Sequence, residues 1–135
     1  MAVSEAEAIE AGARPLEYFG HDANASSDIK CRRLMKRLGV EGYGRWWLLC
    51  ETLASADWHR LDVSDGEGME LAADSLMCGE EEAREFLDTA AALGLIDPGL
   101  YAEGVVSSDR MCRNAAAVGR KRAGGRLGGR PRKDA

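Results

Sequence analysis

Three features of the 135-residue sequence predict a mainly α fold with one small β element. Apolar residues return every three or four positions through most of the chain, as they do on helices buried along one face. Short β-prone runs are few: "HRLDV" and the two that flank Asp97-Pro98-Gly99. Gly39 and Gly79 punctuate the helical stretches where a helix would end or begin. A hydrophobic content of 45% suits a single core of moderate size. The chain divides into an arm over residues 1–15, a folded domain over 16–108, and a C-terminal helix with a Gly/Arg tail over 109–135.

Residues 1–15 mix Ala, Glu and Ser with few large apolar side chains, which predicts a mobile acidic arm. After "LEYFGHDANAS", whose Asp and Asn favour turns, Ser26 or Ser27 is placed to cap a helix that runs to Leu38. At 100° per residue Cys31, Leu34, Met35 and Leu38 share one face of it, and Lys30, Arg32, Arg33, Lys36 and Arg37 share the other. Gly39 is the expected stop. "EGYGRWWLLCETLASA" then repeats apolar residues at Trp46, Leu49, Cys50, Leu53 and Ala54, the pattern of the most buried helix. "HRLDV" reads as a strand, "SDGEG" as a loop, and "MELAADSLM" as a helix with Met69, Ala72, Ala73 and Leu76 inward. Past Gly79, Ala83, Phe86, Leu87, Ala90 and Leu93 recur at helical spacing. Pro98 and Gly99 suit a type II turn, so "LIDPGLYAEGVVSS" reads as a β-hairpin. Ser108 caps a final helix that gives way to the tail. Helix, strand, helix, turn, helix and hairpin make the order of a winged helix-turn-helix, here with an added N-terminal basic helix and a C-terminal helix.

The formal net charge of -5 conceals a division. Residues 1–109 hold nine Lys or Arg against 22 Asp or Glu, whereas residues 110–135 hold nine against Asp134 alone. A cationic end on an acidic body points to a polyanionic partner, most simply DNA. Glycines at 119, 124, 125, 128 and 129 predict an unfolded tail in which Arg120, Lys121, Arg122, Arg126, Arg130, Arg132 and Lys133 follow a phosphate backbone and release its counterions. "GGRPRK" partly matches the Gly-Arg-Pro core of an AT-hook, with Gly128 where that motif has an arginine. Lys30, Arg33 and Arg37 form a second candidate phosphate-binding face, which could equally be neutralised by the acidic body.

Other classes find little support. No apolar run approaches the 18 or so residues of a membrane span, and the acidic N-terminus is unlike a signal peptide, so a cytoplasmic protein without membrane partners is expected. Cys31, Cys50, Cys78 and Cys112 form no C-x-x-C pair and read as packed thiols, although the cations around Cys31 could lower its pKa. His21-Asp22 lacks the further histidines of an HD metal site and reads as a turn whose side chains bond backbone groups. Glu80, Glu81, Glu82 and Glu85 read as a solvated helix start; phosphates would repel it, which argues against groove reading by that helix. Tyr43, Trp46 and Trp47 fit a core stripe better than a base-stacking platform. No catalytic set, metal site or cofactor is expected, and the chain reads as a non-enzyme.

"YFGHDANASSDIK", "GVEGYGRWWLLCETL", "LGLID" and the closing "GGRPRK" together resemble the N-terminal domain of phage replisome organisers and their DnaD-like relatives among primosomal proteins. The resemblance spans Leu16 to Lys133 and is most specific at Tyr18-Phe19, His21-Asp22, Asp28 and Glu41-Gly42-Tyr43-Gly44. It implies a winged-helix module that serves in replication initiation through DNA contact, self-association or both, with replication proteins as candidate partners. A transcriptional regulator and a scaffold without DNA binding are the alternative readings.

Overall fold

The computed structural model describes residues 2–126. Its elements are α1 (Glu5–Gly12), α2 (Ile29–Ser55), β1 (Arg60–Asp62), α3 (Gly66–Ser75), α4 (Glu80–Ala92), α5 (Pro98–Ala102), β2 (Val105–Ser107) and α6 (Asp109–Arg126), with 3-10 turns at Ala25–Ser27 and Asp57–His59.

Asp28, rather than Ser26 or Ser27, starts α2, because its carboxylate accepts from both Lys30 N and Cys31 N while the serines fall in the preceding 3-10 turn. Gly39 ends the first limb at φ 72, ψ -174, a region open essentially to glycine, and the helix resumes at once. The basic helix and the tryptophan helix are therefore two limbs of one kinked element. The second limb buries Trp46, Leu49, Cys50, Leu53 and Ala54, as its periodicity predicts. Against it pack α3, capped by Asp65 and burying Met69, Ala72 and Ala73, and α4, burying Ala83, Phe86, Leu87 and Ala90. Leu76 and Ile96 complete this core.

The β element differs from the expected hairpin. β1 and β2 pair antiparallel with Leu61 opposite Val106, so the strand after the turn joins "HRLDV" rather than the residues just before the turn. Those residues contribute one bond, from Asp97 N to Ser107 O at 2.8 Å. Between them Asp97 caps α5 by accepting from Leu100 N, and Pro98 sits in its first turn, where a missing N–H costs nothing. A proline that fits a type II turn fits a helix start equally well, and here the cap decides. The result is a mainly α, winged-helix-like fold with a two-stranded sheet and a helical turn in place of the wing.

Both ends of the chain also depart from expectation. The arm expected to be mobile contains α1, opened by a capping box in which Ser4 Oγ accepts from Glu7 N and the Glu7 carboxylate accepts from Ser4 N. α6 continues through Gly119, Gly124 and Gly125, which were expected to keep the chain unfolded. The two helices account for each other. They run side by side in the same direction, with Ala8 and Gly12 set against Ala115 and Gly119 so closely that a Cβ on Gly12 would meet the Ala115 carbonyl, and one on Gly119 the Ala8 carbonyl. Glycine, costly in an isolated helix, permits this approach. The positions 127–135 lie outside the described residues, among them Arg130, Arg132, Lys133 and the AT-hook-like stretch.

Candidate nucleic-acid interface

The apolar side of the first limb of α2 sinks Cys31 and Leu34 into the core, which turns Arg32, Arg33, Lys36 and Arg37 outward to solvent. None of these four takes part in an ion pair among the described residues; the pairs found there are Arg45 with Glu41 and Glu82, Arg110 with Asp22, and Arg113 with Asp109. Lys30 is exposed as well, and its Nζ donates to the Gly94 carbonyl at 3.2 Å. Lys30, Arg33 and Arg37, at i, i+3 and i+7, share one stripe of that limb. Lys30 also lines an open cleft of about 550 Å³ whose far side carries Arg110 and Arg113 of α6, two cations that sequence reasoning passed over.

On α6, Arg120 and Lys121 are exposed. Arg122 is engaged: its Nη1 donates to Ala11 O and its Nη2 to Pro15 O, both at 3.1 Å, at the carbonyl end of α1. Arg126 is the last helical residue. The candidate residues thus fall into a stripe on α2 and a run at the end of α6, and the described contacts do not join the two.

The aromatic residues separate by burial. Trp46 is 3% exposed and belongs to the core, whereas Trp47 is half-buried at the surface. His21 stacks on Trp47 with ring centroids 3.5 Å apart and planes 9° from parallel; Phe19 lies near-parallel to the same indole and Tyr43 meets it edge-on. His21 and Asp22 therefore hold the loop before α2 by a ring stack and by the Arg110 ion pair rather than by side-chain bonds to backbone. A cleft of about 260 Å³ beneath this loop is lined by Trp46, Trp47, Arg110 and Asn114.

His59 was not singled out by sequence, yet it is the most enclosed polar ring, 2% exposed. Its Nδ1 lies 2.8 Å from Leu53 O and its Nε2 lies 2.6 Å from Gly12 O. The two carbonyls belong to the last turns of α2 and α1, so the ring ties the ends of these two helices together. Nothing in the spacing of a lone histidine signals this clamp.

The thiols are quiet. Burial, then the neighbouring Asp28 carboxylate, pushes the Cys31 thiol up, so the surrounding cations do not activate it. Burial pushes Cys50 up to about 12 and also raises Cys78. Glu80, Glu81 and Glu82 occupy the first turn of α4, the helix that a helix-turn-helix presents to DNA, and Glu82 is held by Arg45. Among the described residues no helix is long and apolar enough to cross a membrane.

No curated protein and no solved structure matches the chain. Residues 18–111, from the aromatic loop to the first turn of α6, match the Lin1244/Lin1753-like N-terminal family, and over the winged-helix-like body just described the chain belongs to that family.

Proposed function

We propose that this is a cytoplasmic, self-associating DNA-binding protein of phage-type or primosome-type replication initiation, and not an enzyme. It holds duplex phosphates through Lys30, Arg33 and Arg37 on α2 and through the basic run that begins at Arg120. The observation that carries the reading is the outer face of the first limb of α2, where Arg32, Arg33, Lys36 and Arg37 stand exposed with no ion-pair partner among the described residues, in a chain of 23 Asp and Glu. Cations left unpaired by so acidic a body are available to an external polyanion. The acidic start of α4 favours protein contact over groove reading by that helix, and exposed Val40, Leu71 and Met77 supply apolar surface for self-association. The link to replication rests on the likeness to replisome organisers carried by the aromatic loop and the tryptophan helix.

An electrophoretic mobility shift on random duplexes, alongside analytical ultracentrifugation, tests the reading. Binding that tolerates any sequence, by a species heavier than the 14.6 kDa monomer, is the expected result. No shift at low salt would leave the scaffold reading, and strong preference for one duplex would favour an operator-binding regulator.

A further inference from the structure

We propose that α1 is an acidic cover over the cationic C-terminal helix, so that docking of α1 and binding of DNA phosphate to α6 oppose one another. The inference rests on the DNA-binding reading above and adds its regulation.

Three observations lead to it. First, α1 carries Glu5, Glu7 and Glu10 with no Lys or Arg; Glu5 shares a cleft with Arg113 of α6, and the C-terminal end of α1 docks on the stretch that bears Arg120, Lys121 and Arg122. Second, the Arg122 guanidinium, unlike the exposed Arg120 and Lys121 just before it, is turned onto Ala11 O and Pro15 O. Those carbonyls occupy the donors that a phosphate would use. Third, α1 is held by little apolar surface. It buries only Ala8, Ala11 and Gly12, while Ile9 stays 46% exposed. The remaining ties are polar: His59 Nε2 to Gly12 O, Trp58 N to Ala13 O at 2.7 Å, and the Arg122 pair. A helix held by alanine, glycine and a few hydrogen bonds can be displaced by a polyanion that offers Arg122 stronger, charge-assisted partners. α1 also lies outside residues 18–111, the span that matches the family.

The test uses the full chain and a fluorescent random duplex, titrated by anisotropy at several salt concentrations. Gly12→Val places a side chain against the Ala115 carbonyl and wedges α1 away. Freeing one more cation for phosphate steepens the slope of log K against log salt by about 0.9, or roughly eightfold tighter binding near 0.1 M salt. Adding Arg122→Gln to Gly12→Val should abolish that gain. Because the wedge could disturb folding, Glu5→Gln/Glu7→Gln/Glu10→Gln is made in parallel; glutamine keeps the capping box while removing the charge. It should bind more tightly than wild type at low salt, with the advantage fading near 1 M, where the screening length is about 3 Å. Identical affinities and slopes for wild type, the folded wedge variant and the glutamine variant would overturn the cover while leaving DNA binding intact. Failure of every variant to bind would instead overturn the DNA-binding reading, and the cover with it.

Discussion

Trp46 and Trp47 are adjacent, yet one is sealed in the core and the other carries a stacked histidine at the surface. Trp46→Ala should therefore destabilise the fold by about 3–5 kcal/mol, read by chemical denaturation, with DNA affinity of the folded protein unchanged. A variant that melts normally but loses DNA binding would make Trp46 a stacking residue. Cys50 offers a second check. Its folded-state pKa is raised from 9.0 to about 12, so the thiol form favours the native state: that stabilisation is complete below pH 9 and is lost as pH rises toward 12. At pH 8 Cys50 should resist iodoacetamide in native protein and react after denaturation, as mass spectrometry would show; rapid native alkylation would contradict its burial. Periodicity made the core position of Trp46 legible because it depends only on helical spacing. The partners of His21, Asp22, His59 and Arg122 were illegible because each is supplied by a residue at least six positions away, and three of the four reach across much of the chain.

Where glycines fall, local propensity and packing give different answers at the scale of elements. Gly39 does what its local chemistry predicts: at φ 72 it breaks α2, and Gly39→Ala should cost about 1–3 kcal/mol even though open space surrounds the site. A melting temperature equal to wild type would mean that the kink relaxes into a straight helix. Gly119 does the opposite and lies inside α6, because Ala8 and Gly12 of α1 need its missing side chain. Propensity alone could not foresee this, since the compensating contact is more than 100 residues away. The same contact explains why the stretch 5–12 is helical rather than mobile. It also yields a prediction: ending the chain after Val118 removes Gly119, Arg122 and the buried Ala123 from the pairing, and should lower the melting temperature by about 5 °C or more. An unchanged melting temperature would return residues 119–126 to the status of a loose tail. The hairpin expectation failed for a related reason, as Asp97 and Pro98 are equally good at opening a turn and a helix.

For the molecule as a whole, the arrangement of charge matters more than its sum. An acidic winged-helix-like body, with glutamates at the start of α4, leaves one limb of α2 and the end of α6 as its cationic surfaces, and the acidic α1 docks its carbonyl end on Arg122 of the latter. Sequence alone revealed the two cationic stretches, because composition along the chain needs no fold to be read. Which cations stay unpaired required the fold. The most direct measurement is the salt dependence of duplex binding by the full chain and by Lys30→Gln/Arg33→Gln/Arg37→Gln. Each lost phosphate contact removes about 0.9 from the slope of log K against log salt, so the triple variant should flatten it by roughly 2–3 while melting like wild type. A triple variant with the affinity and slope of the unaltered protein would contradict the assignment of the α2 face to DNA.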